Sequence, residues 1–332
     1  MISKEAKLSK DIFQKDIEMI PTRQGYGEGL VIAGDKDEQV VVLCADLTDS
    51  TRSVLFQEKF PLRFIEVGVA EQAMATIAAG MANYGKIPFI SSYAAFSPGR
   101  NWEQIMTTIA LNDVPVKIAG AHAGISVGPD GATHQQLEDI ALMRAMPNMV
   151  VIAPADSVEA RKATVEAAKN SKPTYIRFAR EKTPVFTTDK TPFKIGRAEV
   201  VWEAKDPQAA IIACGPLVYE ALLAARELEK KGIEVLVINS HTIKPLDEKE
   251  IVRAAKITGA VVTVEEHQIT GGLGGAVAEA LSRNYPVPME FVGMPDCFGE
   301  SGAPDELLTK YAMKSKNIVE ATIKVVARKL QD

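Results

Sequence analysis

In RFIEVGVAEQAMATIAAG, Arg63–Gly80, a short apolar strand runs through Gly68 into a helix of small residues, and Glu71 falls in that helix's first turn. The helix dipole favours the ionised carboxylate there by a few tenths to about 1 kcal/mol. Val69, Ala70, Ala73 and Met74 solvate it poorly, and burial favours the neutral acid. Opposed pressures of this kind suit a Glu to sharing a proton near neutral pH. A second segment, AHAGISVGPDGATHQQLED (Ala121–Asp139), follows an apolar strand and so lies where open α/β sheets place ligands. It carries Asp130, the glycines 124, 128 and 131, and two of the four histidines, His122 and His134. Turn chemistry accounts for Asp130–Gly131 but not for the paired imidazoles. In ISSYAAFSPGRNWEQI, Tyr93 and Phe96 sit where a strand gives way to a helix, suited either to the core or to stacking on a flat heterocycle. Arg52, Arg100 and Arg180 each lie just beyond a strand end, as surface charges or as a converging grip on an anion such as phosphate.

Positioning these residues takes two domains. The 332 residues exceed a typical single core, and 46% hydrophobic with 24% charged residues is ordinary for a globular protein. Short β-branched runs alternate with helical stretches throughout, the pattern of parallel sheets with helical crossovers. In the first half strands are expected at Val40–Ala45, Arg63–Val67, Pro88–Ser92, Val116–Ala121, Val150–Ala153 and Thr174–Ala179. Helices are expected near 22–34, 70–84, 99–112, 136–145 and 157–170. The aperiodic KTPVFTTDKTPFK (Lys182–Lys194) reads as a linker. The second half repeats the pattern, with strands at Glu199–Trp202, Ala209–Ala213, Glu234–Ile238, Val261–Glu265 and Met289–Val292. Its helices are expected at 216–231, 247–256, 274–284, 304–311 and 315–330. The fold class is therefore α/β: two domains, each a mainly parallel sheet with helices on both faces, at 1–185 and 195–332 with a linker at 186–194.

A net charge of −5 with no basic stripe argues against nucleic acid. No apolar run approaches the roughly 20 residues that span a bilayer. Cys44, Cys214 and Cys297 lack metal spacing and fit a reducing compartment, so a cytoplasmic protein is expected. No metal-ligand set is assigned.

VAEQAM around Glu71, SSYAAF around Tyr93 and Phe96, GAHAGISVGPDGATHQQLED, VVIAPAD and VTVEEHQITGGLGGAVAEAL stand in one order from about Thr22 to the C-terminus. In that order they resemble transketolase. The loop with Asp130 and His134 is specific, whereas AEQ and EEHQITGGLGG are shared more widely among thiamine-diphosphate enzymes. The resemblance implies a pyrimidine-binding domain followed by a transketolase C-terminal domain. The GDG motif that, with later Asn ligands, holds Mg²⁺ and the diphosphate in such enzymes does not occur. With a charged leader at Met1, this leads to the expectation of the C-terminal subunit of a split transketolase. Its partner would be a separate N-terminal subunit carrying the pyrophosphate-binding domain, Mg²⁺ and most of the diphosphate contacts. A homodimer of this chain within an α2β2 assembly follows from the same likeness.

Carried over residue by residue, the resemblance makes Glu71 the partner of N1′ of the aminopyrimidine, with Phe96 and Tyr93 stacking on that ring. Tyr93 departs from the Phe often found at its position. Asp130 would contact the hydroxyl beside the ketose carbonyl, and His134 and His122 would face the donor's reactive end or the acceptor. Arg52 and Arg180 would grip the sugar phosphate. His241 and His267 read as structural. The implied activity is transfer of a two-carbon ketol unit from a ketose phosphate to an aldose phosphate. Alternatives are 1-deoxy-D-xylulose-5-phosphate synthase-like chemistry, a 2-oxo-acid dehydrogenase beta subunit and, from another class, a catalytically silent interaction subunit.

Overall fold

The computed structural model describes residues 1–329. The chain runs β1 (Met19–Pro21), α1 (Thr22–Lys36), β2 (Val40–Cys44), α2 (Val54–Lys59), β3 (Phe64–Glu66), α3 (Glu71–Asn83), β4 (Ile87–Tyr93), α4 (Trp102–Gln104), β5 (Lys117–Ala121), α5 (Asp139–Arg144), β6 (Val150–Ile152), α6 (Ser157–Lys169), β7 (Thr174–Arg177) and β8 (Lys182–Pro184). Its second half follows as β9 (Glu199–Trp202), β10 (Ala209–Ala213), α7 (Leu217–Lys230), β11 (Val235–Asn239), β12 (Thr242–Lys244), α8 (Glu248–Thr258), β13 (Val261–Gln268), α9 (Leu273–Asn284), β14 (Met289–Met294), α10 (Pro304–Lys310) and α11 (Ser315–Lys329). β2, β5, β7, β10 and β11 are buried from end to end. Strands covered on both faces read as apolar runs, as VVVLC in β2 and AAIIA in β10 do, whereas β5 and β7 bury Lys117 and Arg177 among their apolar residues.

One sheet has the order β12-β6-β7-β5-β4-β2-β3 and the other β14-β13-β10-β11-β9. Both are mainly parallel, the antiparallel members being β12 on β6 and β9 on β11. The expected α/β class with two parallel-sheet units is what the chain adopts. β12 belongs to the second half of the sequence yet forms the edge of the first sheet, its Thr242 opposite Ile152. The first residues cross the other way: Ser3 N–H donates to Val201 O, Phe13 meets Trp202 edge-on, and Tyr219 Oη donates to Ile12 O.

Within the expected linker segment 182–194, β8 pairs antiparallel with β1, and the Phe186 and Thr187 amides donate to buried Asp156. Two local expectations are corrected. The helix expected over 99–112 is only the short turn α4 followed by a wide turn over Ile105–Ala110, closed by Leu111 N–H to Met106 O. The helix expected from 136 starts at Asp139, because residues 136 and 137 are held extended, Gln136 by a bridge to Ala123 and Leu137 by Gln268 N–H.

Candidate active site

Gly68 takes φ +70°, and through that turn β3 feeds α3 so that Glu71 is the helix's first residue. The carboxylate is 2% exposed. Its Oε1 accepts from Ser92 Oγ at 3.3 Å and its Oε2 from Arg100 Nη1 at 2.9 Å, while Asn101 Nδ2 donates to the Glu71 carbonyl at 2.9 Å. Thus the ends of β4 and the following loop close over the start of α3. Arg100 therefore does not join Arg52 and Arg180 in an anion grip, as its position beyond a strand end had suggested. It pairs with Glu71 and lies over the Phe96 ring at 4.5 Å.

From Phe96 a run of rings leads away from the carboxylate. Phe96 meets His134 edge-on at 5.4 Å, Tyr93 meets His134 at 6.4 Å, and Tyr93 stacks on His122 at 3.9 Å. The two aromatics lie nearly parallel, 6.0 Å apart. Both are part-exposed, so they are available for stacking rather than sealed in the core.

The far end of the run is cationic. Arg23 Nη1 lies 3.4 Å from His122 Nε2, and a guanidinium only donates, so Nε2 is the acceptor. Burial, with help from Arg23, Arg180 and His134, pushes the imidazole down to about 3, so it is neutral at physiological pH. Its single proton then sits on Nδ1, which is buried without a partner. Among the described residues that N–H has no acceptor, and it belongs to a residue held at the uncommon φ of +54°. Burial, Arg52 and Arg180 also weaken the hold of Arg23 on its proton, so Arg23 shares its surroundings with two further cations. Arg180 donates to Glu181 Oε1 and Val127 O, and Arg52 Nε is buried and unpartnered. An anion arriving here would meet cations incompletely neutralised by the protein.

Of the residues expected from sequence, Glu71, Tyr93, Phe96, His122 and His134 come together, and Arg52 and Arg180 border them. Asp130 does not join the ring cluster: it is exposed at the end of the turn Ile125–Asp130. Arg23 was missed. Its one signal is a cation in the first turn of α1, the end where the dipole disfavours positive charge. Ser92 and Asn101 were missed too, since a serine in a strand and an asparagine in a loop carry no pattern. His241 and His267 are buried away from the cluster. His241 stacks on Phe193 at 4.2 Å, and His267 Nε2 accepts from Ala141 N–H while Nδ1 faces the Gln268 carbonyl at 2.7 Å.

A parallel-sheet domain that presents a buried helix-start Glu beside stacking rings, followed by a second parallel-sheet domain, is the layout of a pyrimidine-binding unit of a thiamine enzyme with its companion domain. Two family models match: the transketolase pyrimidine-binding domain over residues 18–185 and the transketolase C-terminal domain over 196–318. The chain belongs to the transketolase family. It is similar to a putative transketolase C-terminal section of Methanocaldococcus jannaschii, 45% identical over 90% of this chain and 94% of the other. A 6-deoxy-6-sulfo-D-fructose transketolase subunit of Clostridium sp. (strain MSTE9) is 40% identical over 96% of this chain and 98% of its own length. Among solved structures, a split-gene transketolase described as an inactive β4 tetramer superposes with a TM-score of 0.87 at 43% identity, over 93% of this chain and 99% of that one.

The family implies thiamine diphosphate with a divalent metal, and the residues present fit its pyrimidine end. The Arg100 guanidinium is itself a flat nitrogen donor stacked on Phe96 and bonded to Glu71, so the pocket accommodates a planar group of that kind. For the metal end, the described residues contain no cluster of three His, Cys, Asp or Glu side chains able to hold an ion.

Proposed function

We propose that this chain is the C-terminal subunit of a thiamine-diphosphate-dependent transketolase. It acts with an N-terminal subunit that supplies the diphosphate and Mg²⁺ contacts, in the cytoplasm, as an α2β2 assembly. The observation that carries this reading is the continuous run from buried Glu71 through Phe96, Tyr93, His134 and His122 to three arginines. One end suits an aminopyrimidine and the other an acidic sugar. Bound thiamine diphosphate supplies the carbon nucleophile that carries the two-carbon ketol unit.

The protein's own work is placement and proton control. Glu71 holds the proton shared with pyrimidine N1′, in a pocket that excludes water and fixes the carboxylate through Ser92. To do so Glu71 would exchange Arg100 for the ring, and the guanidinium, 46% exposed, has solvent to turn into. Phe96 and Tyr93 would stack on the cofactor's ring. His122 would donate its Nδ1 proton to a substrate oxygen, and His134, edge-on to both aromatics, would face the donor's reactive end. Asp130, on its exposed turn, reaches the hydroxyl beside the donor carbonyl. Arg23, Arg52 and Arg180 hold the terminal acid group.

That grip reads a tetrahedral oxyanion rather than phosphorus. A sulfonated ketose, the substrate class in the name of the Clostridium relative, is therefore a second candidate donor. Outward-facing Val69, Ala73, Ile77, Gly80 and Tyr84 at α3 form the self-association face. No helix among the described residues is long and apolar enough to cross a membrane.

The test is co-expression with a partner carrying GDG and downstream Asn, then assay of xylulose 5-phosphate plus ribose 5-phosphate beside a 6-sulfonated ketose. Ketol transfer with either donor supports the reading. An assembled complex that binds the cofactor and transfers nothing overturns it.

A further inference from the structure

The loop that carries His122 and His134 is anchored from outside its own domain. Glu266 lies on β13, in the C-terminal domain, and is 3% exposed. Its Oε1 accepts the Ser126 N–H at 2.7 Å, across 140 positions of sequence. The approach is close enough to dictate the residue beside it. A Cβ on Gly124, already at φ +93°, would lie 2.3 Å from Glu266 Oε1, so only glycine fits there.

The main chain of Glu266 is fixed in turn. Arg177 Nη2 donates to its carbonyl at 2.8 Å, and Arg177 Nε donates to Asp139 Oδ2 at 2.8 Å, where Tyr175 Oη also donates. Two further contacts hold the loop from the same domain. Gln135 Nε2 donates to Glu300 O as well as to Ile125 O and Gly128 O, and Gln268 N–H donates to Leu137 O. Of these, the Glu266 contact is the one made by a buried carboxylate, and charge-assisted bonds to backbone N–H are about twice as strong as neutral ones.

We propose that Glu266 is a positioning residue of the active site: by holding Ser126 N–H it fixes the loop that sets His122 and His134 against Tyr93 and Phe96. The C-terminal domain thereby takes part in the site without touching cofactor or substrate. The kinetic arm of the test rests on the ketol-transfer reading; the exchange arm does not.

In the full-length isolated chain, hydrogen exchange of peptides covering 122–136 is compared for wild type, Glu266→Ala and Glu266→Gln. Losing one buried charge-assisted bond should speed exchange at 124–131 about tenfold or more in Glu266→Ala, with β5 and β13 unchanged. The amide oxygen of Glu266→Gln can still accept, so its loop should stay within about threefold of wild type. In the reconstituted complex, Glu266→Ala should raise the donor KM about tenfold while C2-proton exchange of the cofactor stays within about twofold, because Glu71 is untouched. Glu266→Gln should restore most of the KM. Should Glu266→Ala not fold, Glu266→Asp keeps the charge but withdraws the acceptor by one methylene, and the same loop-confined loss is expected.

Unchanged loop exchange in the alanine or aspartate variant overturns the proposal. So does a Glu266→Gln variant as impaired as the alanine, or a loss of C2 exchange and turnover in parallel with general melting. A wild-type complex inactive on every sugar counts against the proposed reaction alone, and the exchange arm then decides.

Discussion

Replacing Glu71 with Gln separates chemistry from architecture. The side chain is fully enclosed and keeps its length, so the change leaves no cavity. Of its two acceptor contacts, the Ser92 bond is long at 3.3 Å, and the hydroxyl can rotate to accept from an amide. The Arg100 contact is short at 2.9 Å, but that guanidinium is 46% exposed and water can replace what it loses. Discounted for exposure, the pair contributes at most about 1 kcal/mol to stability, so the unfolding free energy should move by no more than that. The shareable proton, in contrast, is gone. Losing a positioned acid–base group typically costs about 10²- to 10⁴-fold, equivalent to about 2.7–5.5 kcal/mol of barrier. Deuterium exchange at C2 of the cofactor in the reconstituted complex reads this step without any sugar. Exchange in Glu71→Gln should fall at least about 10²-fold while the melting temperature barely moves. A variant that exchanges as fast as wild type would reduce Glu71 to an ordinary first-turn carboxylate and refute the reasoning.

Asp130→Ala should leave C2 exchange intact while raising the donor KM or relaxing stereochemical preference, which steady-state kinetics on epimeric donors would show; equal loss in both assays would deny it a substrate role. Ile77→Lys places a charge on the exposed face of α3, and light scattering should show the chain's self-associated form shifting toward monomer with the fold intact. Glu159 is buried, and desolvation with help from Asp156 raises its carboxyl to about 8. The folded state therefore holds a proton that the unfolded chain releases near 4.5, so this stability is full below pH 4.5 and is lost as pH rises to about 8, at roughly 1.4 kcal/mol per pH unit. Relative to wild type, Glu159→Gln should gain stability steadily over that window in denaturant titrations; a constant difference would contradict the assignment.

The sheets were legible because their strands are buried on both faces, and runs such as VVVLC and AAIIA admit little else. β12 was not legible: three residues, TIK, have no pattern of their own and become a strand only because the edge of β6 stands open beside them. Within the site, the residue types spoke clearly at Glu71, Tyr93, Phe96 and the loop histidines. What sequence could not give was partnership. Arg100 looked like one more cation beyond a strand end, and only the fold brings it 29 positions back to Glu71. Small residues on α3 divide in the same way. Ala75, Ala78 and Ala79 turn into the domain's own core, while Ala73 and Gly80 face outward. Small size alone cannot say which side of a helix meets a partner.

The exchange of segments between the two sheets bears on how such a gene can be divided. Because Thr242–Lys244 seals the border of the first sheet and residues 2–13 lean on the second, severing the chain near position 190 would not release two self-sufficient pieces. One fragment would carry the naked border of Val150–Ile152, a template for fibrous pairing, and the other would lose the cover over Trp202. Each half thus depends on a strip of chain supplied by the other, so the two domains are expected to fold as one cooperative unit.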